Sequence, residues 1–567
     1  MFSVFFLCFV VSVDITLAGV EILKNPDMEI VNFDNNWSCQ GGCTLTSSKY
    51  HYSGWHSVMV SNRRHNSNGL AQNVVVTPGS SYNFTVYIRL LNLEHGSMYQ
   101  TAEAVLSCSV NHGHKIYMKF GHDPYVRENT WTLIGGIHKI PPAAHSCHVY
   151  IQVFGVTVNY LVDHTSLQVV EENANWRTEA NARIDQIRKS DISVTLSSAS
   201  QNEKYQVELI QNTHEFAFGS AIGAKQIVDP NYRKYAQAFY DNFEWAVLEN
   251  ALKWKQMEHT KGHINYDTAM NALHALNGNG TKVRGHNIFW GVARHIQNWV
   301  TSLSRQELLN EIDVRTKGVV GHTIGLVEHW DVNNENIHGD WYEKATGNPN
   351  VTMQMFRDAH AVDPNVKLFL NDFGVMEKYA AVPLRHQAER FKQAGVPIYG
   401  IGVQSHIKDT NLDIGQLKGS LDMVAAAGLP IWITELSLAS HDVHSRASAL
   451  TDILTLYFSH PAIEGVLFWG FWDGKIFSPE VALFEGPDVT PNEAGRAYQT
   501  LFKTTWRTHV TRDVNGDGTF TVRGFKGEYT VKVSHNGREL KRETFKLGSA
   551  KQTININVGA ASSIIVG

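Results

Sequence analysis

Excess charge of either sign is missing from this chain: 49 Lys and Arg stand against 54 Asp and Glu, a net charge of −5 over 567 residues. No basic surface follows, so nucleic acid is not an implied partner. Long apolar runs are equally scarce. Residues 2–13 are almost wholly apolar, but Asp14 ends the run well short of the roughly 20 residues that a membrane-spanning helix needs. The run reads as the core of a secretory signal over 1–18, with Thr16-Leu17-Ala18 as the cleavage site before Gly19, although no Lys or Arg precedes it. A secreted, extracellular protein with no membrane association is expected.

Cysteine is sparse too. Cys8 falls in the signal, and Cys39, Cys43, Cys108 and Cys147 all precede residue 148. An even count in an exported region implies disulfides. Cys39–Cys43 and Cys108–Cys147 are the favoured pairs, because the latter two lie in or beside strand-like runs at 104–110 and 148–154. The competing reading, one zinc held by four thiolates, wants a CxxC spacing that is absent. The 28 histidines include no His-Glu-x-x-His, so metal-assisted hydrolysis lacks support and no catalytic metal is expected. Asn36, Asn83, Asn279 and Asn350 begin sequons and are glycosylation candidates in a secreted chain.

What the chain has is aromatic residues, with 14 Trp, 20 Tyr and 26 Phe, and a clear change of texture along its length. Short alternating runs separated by Gly, Pro, Asn and Ser turns fill 19–172 and predict a β-sandwich. From about residue 175, strands and helices alternate. Strand candidates lie at 216–222, 243–248, 283–290, 326–332, 367–370, 399–404, 431–434 and 465–471. Most are continuous apolar runs, as in a parallel sheet covered on both faces. Helical patterns occupy 175–190, 266–276, 304–323, 353–361, 384–395, 417–428 and 446–458, the third opened by a Ser304/Glu307 capping box. Eight βα units over 175–505 predict a (β/α)8 TIM barrel with its active site at the C-terminal ends of the strands. Alternation returns over 506–567, a small all-β domain.

The predicted strand ends carry the chemistry. Glu249-Asn250 with Lys253, His286-Asn287 with Trp290, Asn334-Glu335, Asn371-Asp372, Gln404-Ser405-His406, Glu435 and Trp469 fall in turn at strands two to eight. Barrel strands often end in solvated polar residues, which accounts for a few of these but not for so many amides, imidazoles and indoles. Two glutamates at separate strand mouths are what cleavage of a glycosidic bond requires. In a retaining enzyme they stand about 5–5.5 Å apart, one as acid/base and one as nucleophile. Glu335 is the candidate acid/base, its pKa raised by the neighbouring carboxylate, and Glu435 the nucleophile. Asn334 would donate to the sugar 2-hydroxyl, His406 would orient Glu435, and Trp290 and Trp469 would offer ring faces to pyranose units.

These motifs, in order and in strand context, resemble glycoside hydrolase family 10, the endo-β-1,4-xylanases. They are Leu248-Glu249-Asn250-Ala251-Leu252-Lys253-Trp254, Arg284-Gly285-His286-Asn287-Ile288-Phe289-Trp290, Trp330-Asp331-Val332-Asn333-Asn334-Glu335, Gly400-Ile401-Gly402-Val403-Gln404-Ser405-His406, Ile433-Thr434-Glu435-Leu436 and Trp469-Gly470. The resemblance implies Glu335 as acid/base and Glu435 as nucleophile. It also implies that Glu249, Asn250, Lys253, His286, Trp290, Asn334, Gln404, His406 and Trp469 line the glycone subsites, with Asp331 and Asn371 supporting them. Two departures, Gly291 to Trp299 in place of the common microbial His-Ser-Gln-x-Pro segment and Asn333 where many members have Val, look like the plant and animal branch. They bear on xylan-versus-glucan preference.

Residues 21–170 are similar to carbohydrate-binding modules of the family 4, 9 and 22 type, through Asn25-Pro26-Asp27-Met28-Glu29, Tyr52-Ser53-Gly54-Trp55-His56-Ser57, Val60-Ser61-Asn62-Arg63 and Leu161-Val162-Asp163. Trp37, Tyr50, Trp55, Tyr99 and Trp131 are the stacking candidates, each of which could equally be core. That resemblance implies a structural calcium, with Glu29 and Asp163 as ligands to look for; catalysis itself needs no cofactor. Asp513-Val514-Asn515-Gly516-Asp517-Gly518 matches half an EF-hand loop, but Gly524 stands where the bidentate Glu belongs, so a turn between strands is expected. The expected protein is a monomeric retaining endo-β-1,4-glycanase acting on plant cell-wall xylan. The rival readings are a broader β-1,4-glucanase that also takes cellulose, and a non-catalytic carbohydrate-binding protein on the same barrel.

Overall fold

The computed structural model describes residues 19–33, 35–198 and 202–559. The predicted signal, Cys8 included, lies outside them. By compactness the chain divides into two units, one of residues up to 172 with 374–389 and 415–429, the other of 173–373, 390–414 and 430 onward.

In the first unit, two five-stranded antiparallel sheets form the predicted sandwich. One orders Ser38–Gln40, Gly69–Val74, His145–Val153, Gln100–Ser109 and Lys115–Val126, the other Thr44–Ser48, Ser57–Ser61, Tyr160–Val169, Ser81–Leu90 and Trp131–Lys139. Strand Ser81–Leu90 shows why: Tyr82, Phe84, Val86, Ile88 and Leu90 are buried while the residues between them are not, the two-residue period of a strand with one face on a core. Cys108 and Cys147 sit opposite each other on paired strands and are bonded, as are Cys39 and Cys43. Both favoured pairings stand, and none of these four cysteines is left as a thiolate for zinc.

In the second unit, eight parallel strands close into a barrel. They are β1 (Ala217–Ile222), β2 (Trp245–Leu248), β3 (Lys282–Gly285), β4 (His329–Asn334), β5 (Lys367–Asp372), β6 (Gly400–Val403), β7 (Ile431–Leu438) and β8 (Ile463–Phe468). Each pairs with the next, and β8 returns to β1 through Gly465 opposite Ala217. Trp245, Phe369, Trp432 and Leu467 fill the interior. A Cβ on Gly465 would lie 2.6 Å from the Ala217 Cβ and 2.8 Å from the Trp432 ring, so large rings on some strands require none on others. The predicted helices all form. Arg305–His322 starts at a capping box in which Glu307 accepts from the Ser304 N–H and Ser304 Oγ accepts from the Glu307 N–H.

The C-terminal β domain differs from expectation in its parts list. Lys189–Ser197 lies between Thr519–Phe525 and Gln552–Asn557, and Lys204–His214 lies between His509–Asn515 and Gly527–His535. Ile192, Val194, Leu196, Tyr205, Val207 and Leu209 share one core with Tyr529, Val531 and Val533. The domain predicted over 506–567 therefore includes 189–214, which precede the barrel. Asp513 to Asn515 end a strand and Gly518 N–H closes a turn on the Asn515 carbonyl, the turn expected in place of an EF-hand.

Candidate active site

The strand ends of the barrel bring the sequence candidates together in one mouth. Glu335 follows the last residue of β4 with φ of +57°, a left-handed backbone that costs a non-glycine residue about 1–3 kcal/mol and tends to occur at functional sites. Its carboxylate is nearly buried and accepts from Trp290 Nε1 (2.9 Å) and Gln404 Nε2 (3.1 Å). Burial is the main force holding its pKa above the usual carboxylate range; the charge of Asp372 comes next, and Glu435 contributes least. The charge of Glu435 does raise it, as expected, but Asp372, at the end of β5 and bonded by Ile337 N–H and His338 Nδ1, is the stronger carboxylate neighbour.

Glu435 lies within β7 and has the opposite electrostatics. Burial pushes its pKa up, but the His406 hydrogen bond and the charges of His286, His406 and Lys253 outweigh it and hold the pKa below the usual range. His406 Nε2 lies 3.3 Å from Glu435 Oε2, and its Nδ1 is 2.8 Å from Ser437 Oγ. A proton on Nε2 therefore faces the carboxylate, with Nδ1 left to accept from the serine. Asn371 was expected only as support, yet its Nδ2 reaches both Glu435 Oε1 (3.0 Å) and Asn334 Oδ1 (2.8 Å), while Thr434 donates to its Oδ1 (2.6 Å). With its oxygen engaged there, Asn334 keeps the NH2 end as its donor.

Other candidates form the walls. Asp331 accepts from Arg284 and from His286 Nδ1 (2.9 Å), all three buried inside the barrel. Lys253 donates to Asn250 Oδ1 (3.0 Å), and its ammonium lies 4.9 Å from the Trp290 ring and 5.6 Å from the Trp469 ring. Trp469 meets His286 edge to face at 5.2 Å. Glu249 pairs with Lys475 (3.2 Å), a residue the sequence reading did not single out. Trp290 has a ring neighbour that the sequence reading did not name. The turn Ala293–His295, inside the divergent segment, lays the His295 imidazole flat on the indole at 3.7 Å. That ring is thus stacked by protein, and its edge serves Glu335.

In the sandwich, Trp37 is core, whereas Tyr50 and Trp55 stand exposed; Tyr99 packs edge-on to Tyr125, and Trp131 packs near Tyr52. Glu29 accepts the Trp55 and His56 N–H groups, and Asp163 accepts those of Tyr52, Ser53 and His164. Both hold the 52–56 loop. No three His, Cys, Asp or Glu side chains gather as a metal-ligand set among the described residues.

Comparison with known proteins agrees with this geometry. Residues 207–500 match the model of glycosyl hydrolase family 10, and residues 20–157 match a carbohydrate binding domain. Endo-1,4-beta-xylanase 3 of Arabidopsis thaliana is 30% identical, over 96% of this chain and 74% of that protein. The anti-sigma-I factor RsgI6 of Acetivibrio thermocellus is 36% identical over 68% of this chain, which spans about half (49%) of that protein's length. Among solved structures, xylanase 10B from Thermotoga petrophila RKU-1 in complex with xylobiose is 25% identical, covering 51% of this chain and 95% of its own at a TM-score of 0.48. Two carboxylates whose pKa values are pushed in opposite directions at the mouth of a closed barrel, in a stretch matching that family model, make this chain a member of glycosyl hydrolase family 10.

Proposed function

We propose that the chain is a secreted, retaining endo-β-1,4-glycanase whose substrate is xylan. The observation that carries the reading is the split between the carboxylates: Glu335 is held towards its acid form and Glu435 towards its ionised form, within one mouth. Pairs of titratable groups whose surroundings push their pKa values apart mark acid and base roles. Glu435 attacks the anomeric carbon while Glu335 protonates the leaving oxygen. Glu335 then takes a proton from water as that water displaces Glu435 from the glycosyl ester. Asn334 donates to the 2-hydroxyl, a bond that strengthens as the oxocarbenium-like charge develops. The printed name of the Arabidopsis relative supports xylan. The sandwich module would hold the chain on the same polymer.

The test is a reducing-sugar assay on xylan and carboxymethyl cellulose, with Glu435→Gln alongside. Release from xylan alone, abolished in the variant, is expected. Equal release from both polymers would shift the reading to a broad glucanase, and no release from either would remove the enzyme reading. Proton NMR of the first product should show the β-anomer; an α-anomer would refute the double displacement.

A further inference from the structure

A hollow of about 330 Å³ is lined by Trp290 together with Lys253, Lys255, Asn287, His295 and Gln297, among others. Two features of this hollow are unaccounted for by the cleavage chemistry. Asn287 Nδ2 and Gln297 Nε2 are buried amide donors with no acceptor, on residues only 2% and 4% exposed. Buried donors of that kind nearly always have a partner, so two lining one hollow point to an acceptor-rich occupant. The second feature is charge. Lys253 and Lys255 line the hollow, and Arg294 donates from Nε to His295 Nε2 (3.0 Å) beside it.

No carboxylate lines the hollow. The nearby acids are engaged elsewhere: Glu249 with Lys475, Glu258 with Trp254 Nε1 and the Gly262 N–H. Among the described residues, neither Lys255 nor Arg294 has an ion-pair partner. His295 records the resulting field: burial first, then Arg294, Lys253 and Lys255, pull its pKa down to about 4. Its ring is therefore held towards the neutral form, and the positive charge belongs to the lysines and the arginine. Lys253 has Glu435 and Glu249 as charge neighbours, but Lys255 and Arg294 without counter-ions repel each other and Lys253, and an anionic ligand offsets that repulsion.

We propose that this hollow is a subsite for a carboxylate-bearing sugar branch, a uronic acid carried by the polysaccharide on the glycone side of the cleaved bond. The two amides would donate to its carboxylate and hydroxyl oxygens, with Lys255 and Arg294 neutralising the charge. The proposal rests on the glycanase reading and adds the substituent the site selects. It also gives the divergent segment from Gly291 to Trp299 a role, since that segment supplies Arg294, His295 and Gln297.

The test uses the full chain and three probes: glucuronoxylan, the same polymer with its carboxyl groups reduced to alcohols, and neutral xylohexaose. Wild type should show kcat/KM on glucuronoxylan about five- to tenfold above the reduced polymer. The gain should lie in KM and shrink in about 0.5 M salt, as exposed electrostatic attraction does. Lys255→Ala with Arg294→Ala should bring the two polymers within about twofold and leave xylohexaose turnover unchanged, which also verifies that the variant is folded. Digests by wild type should carry the acidic branch on the sugars nearest the new reducing end. Equal rates of wild type on both polymers, or a preference surviving in the double variant, would overturn the inference while leaving the glycanase reading intact. No turnover of any probe would overturn the glycanase reading, and this inference with it.

Discussion

Glu335 and Glu435 are chemically the same side chain, and their surroundings make them different reagents. Both are buried, which alone raises a carboxylate pKa. Around Glu435 the His406 hydrogen bond and the charges of His286, His406 and Lys253 reverse that effect, whereas Glu335 receives two neutral donors and the further push of Asp372. Activity should therefore rise with pH as Glu435 ionises, below the usual carboxylate range, and fall as Glu335 loses its proton, above it. Asp372→Asn removes a negative neighbour of Glu335, which lowers that pKa and moves the alkaline limb of kcat/KM towards acid pH. Burial persists, so the limb should stay above the range of an exposed glutamate. An unmoved alkaline limb would show that Asp372 does not act on the acid. Both glutamates were legible from their strand-end motifs. The role of Asp372 was not, because the repulsion arises from where β5 ends relative to β4, which no local spacing encodes.

At the level of elements, local chemistry and tertiary demand mostly agree. The capping box at Ser304 was readable because its two residues are three apart, and the helix it opens forms as expected. Ser304→Ala should cost about 1 kcal/mol, seen as a lower urea midpoint at unchanged slope; an unchanged midpoint would mean that tertiary packing alone holds that end. Most of the barrel strands were visible as apolar runs for a physical reason: buried on both faces, they leave few positions for polar residues. The turn Ala293–His295 was not visible. Its effect on Trp290 comes from a stacking partner that only the folded chain supplies.

Across the whole molecule the C-terminal domain carries the strongest consequence. Strands Lys189–Ser197 and Lys204–His214 each sit between two C-terminal strands. A chain ending at residue 508 would leave both with open edges on either side and Ile192, Val194, Tyr205 and Val207 uncovered, a template for aggregation. Such a truncation should give aggregated protein, or soluble protein with a markedly lower Tm; a soluble product with the full-length Tm would show that the C-terminal strands are dispensable. The alternation of Ile192, Val194 and Leu196 was legible in the sequence, but their partners lie more than 300 residues away, and a strand does not name what it pairs with. The sequence by itself determined the barrel and the sandwich, favoured the two disulfide pairs that form and singled out Glu335 and Glu435, because each leaves a local signature of period, spacing or motif. Only the tertiary structure decided which carboxylate raises Glu335, what covers Trp290 and which strands complete the last domain, since those depend on distances between segments remote in the chain.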